Sequence, residues 1–207
     1  MPDYVDREHE GTALGEVRQA AAVHDIQTLP ADIGKWRAAV LIAMLPYDDP
    51  EVVLTVRSHQ VEHHKGEISF PGGALDSADE HPMAAALREA DEEVGLRAEH
   101  VEVLGEQSHY RTMSNFHVTP FVGLIDRAPY PFRPLEIEVG EVITPSLSHL
   151  LDPANVTFER RERDGEVFHM REYWFEGHRI FGATATMLGR FLDDLSRLRG
   201  IPIPEAG

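Results

Sequence analysis

The run from Phe70 to Leu96 reads FPGGALDSADEHPMAAALREADEEVGL, and its order of residue types organises the reading of the whole chain. Pro71, Gly72 and Gly73 form a turn whose backbone can approach other groups closely and present carbonyls or N–H groups to metal and phosphate. Asp76, Asp79 and Glu80 follow in a polar loop, where one of them can cap a helix or pair with Arg88. Pro82 suits the first turn of a helix, where its missing N–H costs nothing. Ala84–Val94 has high helix propensity, and Gly95 is placed to stop the helix at its C′ position. On that helix Glu89, Glu92 and Glu93 stand at i, i+3 and i+4 and share one face. Three like charges within a turn repel one another. Arg88, at i−4 from Glu92, relieves part of that repulsion. A hard divalent cation such as Mg²⁺ or Mn²⁺ relieves more, because it takes carboxylate oxygens and keeps positions for water and substrate phosphates.

The chain has 207 residues, enough for one domain with a proper core. Its formal charge of −17 argues against nucleic-acid or anionic-membrane binding, where a basic footprint is expected. An anionic small substrate would need local help from metal or arginine. The absence of cysteine excludes disulfides, thiolate nucleophiles and Cys-based zinc sites. No apolar run approaches the ~20 residues of a membrane span, and the acidic N-terminus carries no export pattern, so a cytoplasmic protein is expected.

Residues 1–34 are polar and acidic, with a helix near Thr12–Val23, and are expected to form a loosely docked N-terminal segment ahead of a domain over 35–200. AAVLIAML, from Ala38, reads as a strand buried on both faces. PYDDP (46–50) is a turn, and VVLTVRS (52–58) a second strand that would complete a β-hairpin. Residues 59–69 are a polar loop with three histidines. Further strands are expected at 101–110 and 117–126, then a strand end and short helix over 137–153. Two or three strands follow, turned at Asp164-Gly165 and Glu176-Gly177. Thr184–Arg199 is an amphipathic helix. The order predicts an α+β fold with a mixed sheet.

The second half of the opening stretch resembles the Nudix hydrolase pattern G-x5-E-x7-R-E-U-x-E-E-x-G-U: Arg88, Glu89, Ala90, Glu92, Glu93, Gly95 and Leu96 fill it. Counting back from Arg88 puts Ala74 at the pattern's first glycine and Glu80 at its glutamate. With Gly73 as that glycine, the loop is one residue longer and Asp79 takes the acidic position. The longer loop resembles the coenzyme A pyrophosphatase subgroup, as do Leu54, Thr55, Arg57, Ser58, Gly66, Phe70, Pro71, Gly72 and Gly73 in the motif just upstream. Val53 replaces that motif's first leucine, and Glu62 stands where its second arginine belongs. HVTPFVG (117–123), Glu138-Val139 and RIFGATA (179–185) extend the likeness over roughly 37–195.

The resemblance implies a mixed sheet sandwiched between helices, with the carboxylate helix packed beneath it. It implies metal-dependent hydrolysis of a nucleoside diphosphate linked to another moiety, with coenzyme A or an acyl derivative as leading substrate. ADP-ribose, NADH or nucleoside triphosphates are the runners-up, and a non-catalytic nucleotide-sensing module is the rival of another class. Glu89 and Glu93 would be metal ligands, with Glu92 a third or water-mediated one and Gly73 offering its carbonyl. Arg88 would orient Glu92 or a loop acid through charge-assisted hydrogen bonds. Arg57, Lys65, Gly72 and Gly73 would face the substrate's phosphates, with Arg57 equally read as a surface ion pair. Glu138 or Glu141 would act as general base or remote ligand, against a reading as exposed loop acids. The histidines at 59, 63, 64 and 117 could reach phosphate or nucleotide. The family also admits a homodimer, with no residue of the sequence marking its interface.

Overall fold

A computed structural model describes residues 12–22, 26–30, 33–59, 66–163 and 165–206. In chain order α1 (Ala13–Ala21) precedes β1 (Trp36–Leu45), β2 (Glu51–Val52), β3 (Leu54–Arg57), β4 (Ile68–Ser69) and β5 (Gly72–Ala74). Then come α2 (Pro82–Val94), β6 (Val101–Glu106), β7 (Tyr110–Arg111), β8 (Phe116–Ile125) and β9 (Val139–Ile143). The chain closes with α3 (Leu147–Leu151), β10 (Val156–Arg163), β11 (Glu166–Phe175), β12 (His178–Ile180) and α4 (Gly182–Arg199).

The centre is the pairing of β1 with β8, parallel from Trp36↔Phe116 to Met44↔Leu124. Antiparallel neighbours flank it, so this sheet is mixed. Successive β1 side chains point to opposite faces, and both faces are covered. Ala38, Ile42 and Met44 join Val17 and Ala20 of α1 and Leu188, Phe191 and Leu192 of α4 in one apolar cluster. Ala39, Leu41, Ala43 and Leu45 join Ala85, Ala86, Ala90 and Val94 of α2 in another. A continuous apolar strand is thus explained by a helix layer on each side, and each fully buried Leu or Ile contributes about 1.5–3 kcal/mol.

Two expectations change. The 52–58 stretch does not form one hairpin strand on β1. Only Val52 and Glu51 pair with it, opposite Met44 and Leu45. The remainder of that β1 edge is taken by β5, with Ala38↔Ala74, Ala39↔Gly73 and Val40↔Gly72. β3 therefore leaves for a second, three-stranded sheet in the order β4-β3-β9. Nor is α1 loosely held: Val17 and Ala20 are fully buried. Its Ala21 carbonyl lies where a Cβ on Gly105 would come within 2.4 Å, and Glu16 pairs with Arg199 of α4 at 2.8 Å. The amphipathic face of α1 finds a partner in α4, which sequence order alone does not reveal.

The third sheet is β10-β11-β12. Glu176 and Gly177 turn β11 into β12, both with positive φ (49° and 86°), the geometry of a two-residue hairpin. Asp164, of the other expected turn, lies outside the described residues. No described helix is long and apolar enough to cross a membrane.

Candidate active site

β5 is wedged between β1 and α2, and at positions 72 and 73 only glycine fits. Gly72 has φ +150°, and a Cβ on it would lie 2.4 Å from the Ala39 carbonyl. A Cβ on Gly73 would lie 2.4 Å from the carboxyl carbon of Glu89. The strand backbone is thereby pressed directly against the acidic face of α2, and the Gly72 N–H donates to Glu93 Oε2 at 3.1 Å. Expected as a substrate contact, Gly72 has its N–H committed to holding a glutamate.

α2 itself starts and stops where the sequence indicates. Pro82 occupies its first turn, and Gly95 ends it in the left-handed conformation at φ 68°. The N-cap is His81, whose Nδ1 accepts the Met83 N–H at 3.2 Å. None of the loop acids fills that position.

Arg88 is the hub. Its Nε and Nη2 donate to Asp79 at 3.3 and 3.0 Å, and Nη2 also to the Ala74 carbonyl at 3.2 Å. Nη1 donates to Glu89 Oε1 at 3.0 Å and Glu92 Oε2 at 3.1 Å. One guanidinium thus ties the loop, β5 and two of the three glutamates. The choice between Asp79 and Glu80 is resolved geometrically, because Asp79 meets Arg88. The Arg88 hydrogen bond holds the Asp79 carboxyl below the usual range, and Asp79 in turn raises Arg88 further above its ordinary value.

Glu93 is 6 % exposed. Burial pushes its carboxyl up to about 7, aided by the charges of Glu89 and Glu138 and opposed by the Gly72 N–H and Arg57. Glu89 is also raised, first by burial and then by Glu92 and Glu138, against the pull of Arg88. Glu138 is exposed on the turn before β9, and its carbonyl accepts the Ser58 N–H at 2.8 Å. Its charge is felt at both Glu89 and Glu93, whereas Glu141 faces His178 at 3.4 Å. Arg57 ends β3 at a bulge. Its Nε is buried with no hydrogen-bond partner among the described residues, and its charge acts on Glu93. The structure therefore brings together Arg57, Gly72, Gly73, Arg88, Glu89, Glu92, Glu93 and Glu138. Lys65, Glu62, His63 and His64 lie outside the described residues. His59 is exposed beside Gly66, and His117 is buried against His109, bonded ring to ring at 2.7 Å.

Among the described residues no three acidic or imidazole side chains are already gathered as a metal cluster. Arg88 bridges Glu89 and Glu92, and the Gly72 N–H holds Glu93 separately. The donor set nevertheless fits a hard divalent cation: all-oxygen ligands, two of them half-buried or more and mutually repelling, beside a glycine cradle that a Cβ would fill. A concavity of about 300 Å³ lies at the far end of α2 between Arg97, Arg127 and Arg133. Arg97 and Arg127 there are paired with Glu99 and Asp126, so it is not part of this acidic site.

A sequence profile of the NUDIX domain matches residues 35–180. The chain belongs to the Nudix family. Its curated relatives include NudL of Yersinia pestis (strain Pestoides F) and of Yersinia pseudotuberculosis serotype O:1b, each described as an uncharacterized Nudix hydrolase. Each is 35% identical over 160 residues, which is 77% of this chain and 80% of the relative. Among solved structures, a MutT/nudix family protein from Enterococcus faecalis superposes with a TM-score of 0.52 at 13% identity, over 97% of this chain and 76% of that one. A Nudix hydrolase from Nitrosomonas europaea gives 0.51 at 17% identity, over 82% and 76%. These likenesses are of fold. With the family established, the chain is a Nudix hydrolase, of a class that acts on phosphoric anhydrides.

Proposed function

We propose that the protein hydrolyses a nucleoside diphosphate linked to another moiety, with coenzyme A or an acyl derivative as substrate. The products would be phosphopantetheine, or its acyl form, and adenosine 3′,5′-bisphosphate. The observation that carries the hydrolase reading is the buried Glu93, raised to about 7 beside Glu89 and fixed by the Gly72 N–H. A helix face built only for solubility has no reason to bury such a group.

Nudix hydrolases use divalent ions such as Mg²⁺ or Mn²⁺, and Glu89, Glu93, Glu92 and the Gly73 carbonyl are the groups that would hold them. Bound there, the ion neutralises phosphate charge and acidifies the attacking water. The chain's own residues do the rest. Gly72 keeps Glu93 oriented, and Arg88 positions Glu89 and Glu92. Arg57, whose charge already acts on Glu93, would meet a phosphate oxygen through the terminal nitrogens of its guanidinium. Glu138, exposed yet electrostatically coupled to Glu89 and Glu93, accepts the proton of the water as its oxygen bonds to phosphorus and the anhydride P–O bond breaks. The substrate assignment rests on the run from Leu54 to Gly73 and on the longer loop that places Asp79 on Arg88.

The test is a panel of coenzyme A, ADP-ribose, NADH and nucleoside triphosphates with Mg²⁺ or Mn²⁺, products identified by mass. Coenzyme A is expected to be cleaved fastest. Preferential cleavage of another member would reassign the substrate, and no product from any of them would defeat the hydrolase reading. Charge restoration by Glu62→Arg is expected to raise coenzyme A turnover.

A further inference from the structure

Across β1 from the carboxylates lies a second polar centre that the reaction does not use. Arg37 of β1 is in register with His117 of β8, and β7 pairs Arg111 with His117 on the other side. That pairing lays His109 against His117, with His109 Nδ1 2.7 Å from His117 Nε2. The other nitrogen of His109 is 2.7 Å from Glu106 Oε1. Residues 26–30 are laced over the pair: the Gln27 N–H donates to Ser108 Oγ at 3.1 Å and the His109 N–H to the Gln27 carbonyl at 2.9 Å. Leu29, Arg37, His109 and His117 enclose a cavity of about 200 Å³.

A packed histidine pair explains the rings but not the lining. The chain carries 36 acidic residues against 19 Lys and Arg, yet among the described residues no carboxylate lines this cavity. Glu106 sits behind His109, turned to its far nitrogen. Arg37 has no ion pair among the described residues. The Leu29 N–H is held only by a long 3.4 Å contact to His109 Nδ1, so a stronger acceptor could claim it. Burial first, then the charges of His109 and Arg37, hold the His117 imidazole below its ordinary value, so its ring serves the cavity as a hydrogen-bonding wall rather than as a charge. The space is ample for a tetrahedral oxyanion.

We propose that this cavity binds a phosphate group, gripped by the Arg37 guanidinium and the Leu29 N–H, with the two histidine rings forming its wall. The phosphate can come from free inorganic phosphate or from a terminal phosphate monoester of the substrate. Arg37 lies three residues from Val40, the partner of Gly72, roughly 10 Å along the strand. The second source rests on the proposed coenzyme A reaction; the first does not.

The test is ¹⁵N–¹H NMR of the histidine rings in the metal-free full chain, titrated with inorganic phosphate. Saturable shifts of His109 and His117 are expected. Arg37→Ala should weaken them by at least about tenfold, and Arg37→Lys, which keeps the charge but not the fork, by less. Circular dichroism of both variants controls for folding. No saturable shift in the wild type, or the same affinity in all three proteins, overturns the site. The phosphate shifts persist even if no diphosphate is ever hydrolysed, so the two readings fail separately. The KM for coenzyme A against dephospho-coenzyme A then assigns the source. A rise confined to coenzyme A in Arg37→Ala supports the substrate's monoester, and an unchanged ratio supports free phosphate.

Discussion

Two charged runs of this chain look alike on paper: READEE at 88–93 and ERRER at 159–163. On the β10–β11 hairpin Arg160 and Glu162 of this run stay in water. Arg160 and Glu162 approach only to 3.8 Å with side chains 63% and 59% exposed, and such pairs are worth about 0–1 kcal/mol. On α2 the same residue types meet a strand made of glycine. Arg88 closes five hydrogen bonds to four residues there, and Glu93 is buried at a cost its own neighbours do not offset. What separates a solvated charge run from a chemical site is the backbone that packs against it, not the charge pattern.

That contrast can be broken in order of effect. Glu93→Gln keeps the acceptor for the Gly72 N–H but removes the charge. It is expected to lower turnover on the order of 10³-fold with the fold intact, measured by phosphate-anhydride hydrolysis; near-normal rates would remove Glu93 from the site. Gly72→Ala drives a Cβ into the Ala39 carbonyl and should cost about 3 kcal/mol in denaturant unfolding. Gly177→Ala, whose Cβ meets open space, should cost only about 1 kcal/mol for its positive φ.

The third effect is on stability and runs opposite to activity. In chelator, the folded state holds the Glu93 proton up to about pH 7, whereas the unfolded chain releases it near the ordinary glutamate value. The stability from that proton is complete below the unfolded value and is lost as pH rises through 7. Metal-free Glu93→Gln should therefore be more stable than wild type at pH 8 by on the order of 1–3 kcal/mol, with the difference vanishing toward pH 4.5. Equal unfolding midpoints at pH 8 would mean that Glu93 is not strained. Last, Arg160→Ala on the hairpin should change stability by no more than about 0.5 kcal/mol in the same assay.

Much of the site was legible because it is local. The Pro82 start and Gly95 stop of α2, the shared face of Glu89, Glu92 and Glu93, and the contact of Arg88 with Glu92 follow from spacing along one helix, whereas the His81 cap does not. What was not legible depends on partners distant in sequence. Nothing in VVLTVRS says that β5 will occupy the β1 edge and send β3 to another sheet. Nothing in the α1 sequence names α4. The commitment of the Gly72 N–H to Glu93, and the choice of Asp79 over Glu80, required the loop to be placed in space. His109 and His117 are eight residues apart with no helical or strand-like periodicity linking them, and only the β7–β8 pairing brings their rings together.

The central claim is that α2 and β5 together make a divalent-metal site. Mn²⁺ binding to the metal-free protein, followed by electron paramagnetic resonance, tests it without any assumption about substrate. Saturable binding to wild type is expected, weakening by at least about tenfold in both Glu89→Gln and Glu93→Gln. Equal Mn²⁺ affinity in all three proteins would contradict it.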